Sequence, residues 1–314
     1  MTNRALSLRL NWNEIIGYTL IVAASCFFGG AASLGKDLMR SGISTVMLMQ
    51  TRATVTALLL IVILALTSAS HLKISRKDLP GLIALAIPGL ALVNVSYYQA
   101  IKLLPVALAV FIQFTAPVLI FVYGLLTRKE QLTKPRLLAL LLSIAGTYLM
   151  VQLHGGYGKE FSVFGLVCAI VSMLSYAFHV VLSHALGKKH SPWTLIVYGY
   201  GIAALFWCTV QNPVETATHL LKHQLWDKAL LFSIVSTLIP FSLFLTGLRR
   251  VTATAAAITS TSETVTASFF AYLWLGETLT PLQIIGAALI LCAVLILIYQ
   301  SKEVAVAASF VDSA

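Results

Sequence analysis

The sequence predicts an all-α polytopic membrane protein of about ten transmembrane helices. Of its 314 residues, 59% are hydrophobic and only 10% are charged, and the mean hydropathy is +0.90. A soluble domain carries roughly 25% charged residues because its surface faces water. Apolar runs of the length needed to cross a bilayer, roughly 20 residues, also recur along the whole chain. Lipid is therefore expected to be the main solvent of this chain.

Ten apolar runs are long enough to cross the hydrocarbon core. We call them spans 1 to 10 and predict them at residues 15–34, 44–67, 79–100, 104–126, 136–153, 161–186, 193–210, 228–248, 252–275 and 282–300. The breaks between them fall at charged or glycine-rich segments, where membrane helices stop. The longest connection, 211–228, is predicted to hold a short interfacial helix.

The distribution of Lys and Arg predicts the orientation. If the N-terminus is cytoplasmic, fourteen of the 21 basic residues fall in cytoplasmic segments, Arg52 lies within a span, and six remain outside: Lys36, Arg40, Lys102, Lys159, Lys222 and Lys228. Basic residues accumulate on the cytoplasmic side of membrane proteins. We therefore predict that both termini are cytoplasmic in an inner or plasma membrane. The net charge of +10 is read as a topology signal, with anionic lipid and not nucleic acid as the partner.

A weak internal repeat appears when the chain is aligned with itself at an offset of 147 residues. Glu130-Gln131-Leu132-Thr133 then falls on Glu277-Thr278-Leu279-Thr280. The halves are predicted at 14–153 and 161–300, with a cytoplasmic tail at 301–314. Five spans in each half force the second half to enter the membrane inverted, as in many secondary transporters. Chance alignment of leucine-rich helices is the alternative explanation.

The same motif predicts how span 10 begins. Thr280 precedes Pro281, and Gln283 follows three residues after Thr280. This spacing is typical of a capping box with proline in the first helical turn.

Several stretches together resemble a known family. They are Ser262 through Thr280 followed by Gly286, Ala116-Pro117-Val118 through Glu130, Arg52, and Ser175-Tyr176-Ala177. The ensemble resembles the drug/metabolite transporter superfamily, EamA type, over about residues 14 to 300. Thr264 departs from the pattern, in which proline is common, and so do Arg128-Lys129 before the first-half glutamate. The resemblance implies a ten-helix bundle with a central cavity and export of small metabolites such as amino acids.

Two ionisable residues lie deep within spans. Glu263 is about 17 Å from the inner end of span 9, and Arg52 is about 12 Å from the outer end of span 2, at 1.5 Å per residue. Such groups are costly in a membrane and usually mark a pathway or a partner. We predict that Glu263 faces the cavity and either pairs with Arg52 or titrates during transport. A purely structural ion pair is the alternative.

Polar residues near these two complete the predicted substrate- or ion-binding site. Helical spacing places Thr259, Ser260 and Thr266 on the face of Glu263, although small hydroxyl residues also serve helix packing. Gln113 aligns with Ser260 in the repeat and is predicted to lie at mid-membrane. Two further candidates, Asn94 and Tyr98, lie in span 3, where Tyr98 could instead join an interfacial aromatic belt.

His179 is interpreted differently. Its position toward the cytoplasmic end of span 6 favours a hydrogen-bonded interfacial histidine over a proton carrier.

Other function classes find little support in the sequence. Motifs for metal-dependent enzymes and phosphate-binding loops are missing from it, so we predict no enzymatic activity, no cofactor and no metal. We expect a secondary transporter with a small-molecule substrate and with protons as a candidate coupling ion. A structural or receptor-like membrane protein is the alternative, and the sequence does not indicate an oligomeric state.

Overall fold

A computed structural model describes residues 12–104, 106–151, 162–275 and 279–311 of the chain. Within these ranges, nine helices are long and apolar enough to cross a membrane. The segment predicted as span 9 is not among the nine: it contains Glu263 and several serines and threonines, and it forms two helices, Ala253–Ser260 and Ser262–Leu275. The glycine-rich break at 154–158 and Glu277-Thr278 of the repeat motif lie outside the described residues.

The helices follow the predicted spans closely. In order from span 1 to span 10 they are Trp12–Arg40; Thr45–Thr67; Leu79–Ala84, Leu85–Ala91 and Leu92–Leu103; Val106–Gln113 and Ala116–Leu126; Lys134–Val151; Val163–Gly187; Pro192–Val210; Trp226–Ser233, Ile234–Leu238 and Ile239–Leu248; Ala253–Ser260 and Ser262–Leu275; and Pro281–Val311. The predicted interfacial helix is Pro213–Lys222. The last helix continues into the segment predicted as a tail, and the limits of the two halves stay a prediction.

Corresponding spans of the two halves depart from regular α-helix at corresponding places. Span 4 is interrupted at Phe114 and Thr115, and span 9 is interrupted at Thr261. Phe114 and Thr261 are partners at the repeat offset. Spans 3 and 8 each contain a π-helical segment, Leu85–Ala91 and Ile234–Leu238. Interrupted helices and π-segments are common at the binding sites of membrane transporters.

Helix packing has the same symmetry. Span 2 packs along span 7, and span 5 packs along span 10, so each of these spans contacts its own counterpart. Span 1 packs on span 8, and span 3 packs on span 6. Spans 1 and 6 are counterparts in the repeat, and so are spans 3 and 8, so the two contacts are equivalent. The predicted fold class, ten membrane helices in two inverted five-helix repeats, is confirmed.

Local contacts fix the ends of the helices. The Thr280 amide donates to Gln283 Oε1 (2.9 Å) and the Gln283 amide donates to Thr280 Oγ1 (3.3 Å), which confirms the predicted capping box. Arg250, after span 8, donates to Asn13 Oδ1 at the start of span 1 (3.0 Å).

The two faces of the bundle are named from this contact. We call the face that holds Asn13 and Arg250 the near side and the opposite face the far side. Spans 1, 3, 5, 7 and 9 begin at the near side.

Candidate functional site

A cavity lies between the two halves, and spans 1, 2, 3, 4, 6, 8 and 9 contribute side chains to it. Its empty volume, including the part open to the exterior, is about 990 Å³. The wall is mainly apolar and aromatic. Its polar side chains are Ser25, Arg52, Asn94, Tyr97, Tyr98, Gln113, Tyr176, His179, Ser236, Ser260 and Glu263.

Arg52 and Glu263 enter this cavity from opposite halves. Span 2 carries Arg52, which is 6% exposed, and Glu263 lies in the second helix of span 9, just after the break at Thr261. The two charges interact across the cavity. Among the described residues, however, they do not form an ion pair with each other. The Arg52 guanidinium lies beside the Tyr200 hydroxyl, so it is held at the edge of the cavity without neutralising its charge.

Three tyrosines surround the carboxylate. Tyr97 and Tyr98 from span 3 and Tyr176 from span 6 lie near enough to feel the charge of Glu263. The rings of Tyr97 and Tyr98 meet edge to face with centroids 5.6 Å apart. Both rings line the cavity. Aromatic faces and hydroxyls next to a carboxylate suit a small cation such as an ammonium group.

Amide and hydroxyl groups complete the polar lining. Gln113 ends the first helix of span 4, where Ser172 Oγ donates to its Oε1 (2.8 Å). The Ser260 hydroxyl donates to Ala256 O (2.9 Å), and Asn94 Nδ2 donates to Leu90 O (2.6 Å) beside the π-helical segment of span 3. Each of these side chains keeps further hydrogen-bonding capacity for a ligand.

Two predicted site residues do not reach the cavity. Thr259 is fully buried and donates to Ala255 O (2.7 Å). Thr266 Oγ1 donates to Ser25 O of span 1 (2.8 Å) and packs where Gly29 lets the helices approach. Glu263 and Thr266 belong to the same helix, Ser262–Leu275, so their spacing indicates a shared face but does not show that span 1 packs on this face at Thr266. Thr266 therefore serves helix packing.

Contrary to the sequence interpretation, His179 is not hydrogen-bonded to any residue that the structure describes. It is 3% exposed and borders the cavity. Its ring meets Phe241 edge to face at 5.9 Å, and neither ring nitrogen has a partner among the described residues. The prediction counted residues from the end of span 6 and had no information on how deep the cavity reaches.

Sequence reasoning also missed other lining residues, among them Ser25, Tyr97, Tyr176 and Ser236. Tyr176 lies in a stretch that had contributed to the family resemblance, which was the available signal. Ser25 and Ser236 resemble many small polar residues of the chain, so no local pattern distinguishes them.

Comparison with known proteins places the chain in a family. The profile described as the EamA-like transporter family matches it twice, at residues 15–152 and 163–299. The chain belongs to the EamA-like transporter family. It is thus a polytopic membrane protein of a transporter family. The double match corresponds to the two halves of the bundle and favours a transporter over a structural or receptor-like membrane protein.

Individual relatives agree with this assignment. An uncharacterized transporter of Archaeoglobus fulgidus is 37% identical over 214 residues, which is 66% of this chain and 74% of the relative. The threonine/homoserine exporter RhtA of Escherichia coli K12 is 24% identical over 286 residues and 90% of each chain. A solved crystal structure superposes with a TM-score of 0.71 at 18% identity, covering 93% of this chain and 98% of the other, and shows the same fold.

Proposed function

We propose that this transporter exports small zwitterionic amino acids or closely related metabolites by alternating access. The observation that carries the proposal is that Arg52 and Glu263, which have opposite charges, line one cavity without an ion pair between them in the described structure. An α-amino acid carries a carboxylate and an ammonium group on the same carbon. Arg52 binds the carboxylate through its planar fork of donors, and Glu263 binds the ammonium group with the surrounding tyrosines.

The energetics favour a ligand with both charges. A buried charge without a partner is costly, and an oppositely charged group that replaces its water offsets that cost. A zwitterion satisfies both protein charges in one step, whereas an amine or an acid alone satisfies only one. The exporter RhtA, a relative over nine-tenths of the chain, supports amino acids as the substrate class.

The architecture supports the mechanism. Arg52 belongs to the first half and Glu263 to the second, so a substrate that binds both charges bridges the two halves. Inverted halves can rock around such a site and expose it to either face of the membrane. In this proposal the near side is the cytoplasm, because the basic residues concentrate there, and Glu263 is the candidate group for coupling to protons.

Counterflow in proteoliposomes tests this proposal. Radiolabelled amino acids are compared in the native protein and in Glu263→Gln, with and without a pH gradient. The matched control is Glu215→Gln, which makes the same chemical change at an exposed position of Pro213–Lys222. We expect amino-acid flux in the native protein and the control, and loss of that flux in Glu263→Gln.

Two results would contradict the proposal. If no amino acid or related zwitterion is exchanged by the native protein, the substrate class is wrong. If Glu263→Gln exchanges substrate at the native rate with an unchanged pH dependence, the site is wrong.

A further inference from the structure

The turn after span 4 folds back and inserts a carboxylate between spans 4 and 9. Arg128 adopts a left-handed backbone conformation with a φ of 54°, and the amides of Lys129 and Glu130 both donate to Gly124 O (2.9 and 3.1 Å). A Cβ on Gly124 would lie 3.1 Å from Glu130 Cγ, so the glycine makes room for this side chain. The Glu130 side chain is consequently only 6% exposed.

The carboxylate of Glu130 holds the beginning of span 9. Its Oε1 accepts a hydrogen bond from the Thr254 amide (3.2 Å), and its Oε2 lies 3.9 Å from Arg136 Nη1. Thr254 belongs to the first turn of Ala253–Ser260, where backbone amides lack intrahelical acceptors. A negative charge at this end also interacts favourably with the helix dipole. Glu130 therefore stabilises the present position of this half-helix.

This half-helix separates the cavity from the near side. All eight residues of Ala253–Ser260 are buried, packed against spans 1, 4, 5, 6 and 10. Its last residue, Ser260, lines the cavity, and Glu263 follows directly after the break. Along span 9, the half-helix therefore lies between the near side and Glu263.

Two further cavities reach the other end of the half-helix. Thr252, its N-cap, borders both of them. One is also lined by Arg136 and Arg249, and the other by Glu130 and Lys188. Open space thus already exists beside the N-terminal end of the half-helix. The first turn of span 9 can move into this space once the hydrogen bond from the Thr254 amide to the Glu130 carboxylate breaks.

We propose that Glu130 is the latch of a near-side gate: its carboxylate holds Ala253–Ser260 in the closed position, and its release opens the cavity to the near side. The half-helix links the latch at its first turn to Ser260 at its last. Glu130 lies outside the central cavity, so it is a positioning residue and not a binding residue. The inference rests on the alternating access proposed above, but not on the identity of the substrate.

Access of a thiol reagent from each side tests the latch. Cys26, Cys168, Cys208 and Cys292 are replaced by serine or alanine, and Ser25→Cys then places a reporter on the cavity wall. A membrane-impermeant, positively charged thiosulfonate is added to the near or the far side of oriented vesicles. The labelling rates are compared in this background and after adding Glu130→Ala, Glu130→Gln or Glu215→Gln.

We expect Glu130→Ala to raise the near-side labelling rate about tenfold, which corresponds to about 1.4 kcal/mol lost from the closed state. Glu130→Gln keeps an acceptor for the Thr254 amide but loses the charge, so its rate should rise by a smaller factor. Glu215→Gln should label like the background. Far-side labelling should stay constant or fall in both Glu130 variants.

An unchanged near-side rate in folded Glu130→Ala would overturn the latch, and so would an equal rise from both sides, which indicates general loosening. If Glu130→Ala does not fold, Glu130→Gln decides by the same criterion. Labelling needs no substrate, so absence of amino-acid flux in the native protein would refute the proposed substrate class and leave the latch to the labelling result.

Discussion

Arg52 and Glu263 line one cavity from opposite halves of the bundle, and within the described part of the chain they do not form an ion pair with each other. In the proposed function, these two separated charges receive a ligand that carries both signs. A structural ion pair, which the sequence left as an alternative, would have brought the two groups into contact. The following predictions test what this arrangement does.

Removing one charge at a time should separate recognition of the two ends of the substrate. Arg52→Gln should weaken inhibition of transport by carboxylic acids that lack an amino group, and Glu263→Gln should weaken inhibition by the matching decarboxylated amines. Each loss should be about 100-fold, or roughly 2.7 kcal/mol, the size of a hydrogen bond to a charged group. Competition against a labelled amino acid measures both effects. Where flux is too low, thermal-shift measurements report the binding of the unlabelled analogues.

The double variant Arg52→Glu with Glu263→Arg gives a further control. A structural ion pair would be restored by exchanging the charges, but a substrate site is not, because the geometry of both groups changes. Recovery of transport in the double variant would contradict the proposed site.

Ser260 and Thr266 should differ although they lie in the same span. Ser260→Ala removes a cavity hydroxyl and should raise KM several-fold. Thr266→Val removes one hydrogen bond between spans 9 and 1, worth about 0.6 kcal/mol in membranes, and should leave KM within about twofold of the native value. Initial rates of counterflow measure KM. A similar rise of KM in both variants would show that the cavity extends to Thr266.

The contact of spans 5 and 10 should not tolerate a methyl group. A Cβ on Gly146 would lie 2.7 Å from Gly286 O, a backbone atom that moves only with its helix. Gly146→Ala should therefore cost about 1–3 kcal/mol of stability. Gly201→Ala is the matched control, because a Cβ there meets no described atom within 4 Å and alanine favours helix. Thermal unfolding in detergent should show a loss for the first variant alone.

Replacing His179 should separate stability from transport. Its ring nitrogens are buried without partners among the described residues, so His179→Leu removes an unsatisfied group and should stabilise the protein by about 1–3 kcal/mol. We expect transport to fall, because the ring borders the cavity. His184→Leu is the control: Nδ1 of His184 contacts Leu248 O at 3.1 Å, and that variant should lose stability. A melting temperature and a flux measurement on each variant decide the matter.

Local chemistry explains which parts of the fold could be read from the sequence. Each span is an apolar run of membrane length, and in lipid a backbone segment of that kind satisfies its polar groups only as a helix. The capping box joins Thr280 and Gln283, which are three positions apart, and the repeat motif Glu130 to Thr133 consists of consecutive residues. Both are local patterns, so the sequence alone could predict them. The isolation of Arg52 and Glu263 among apolar residues likewise marked both as candidates.

The tertiary structure alone decided which polar side chains meet. Helical spacing indicated that Glu263 and Thr266 share a face of Ser262–Leu275, but only the packing of span 1 shows that the Thr266 hydroxyl donates to Ser25 O. His179 borders the cavity where it packs against Gly89 of span 3 and Phe241 of span 8. The sequence indicated Glu130 only as part of the break between two spans, but its carboxylate contacts a backbone amide 124 positions away. Contacts of that kind depend on how helices far apart in the chain pack, and the sequence of any one helix does not contain that information.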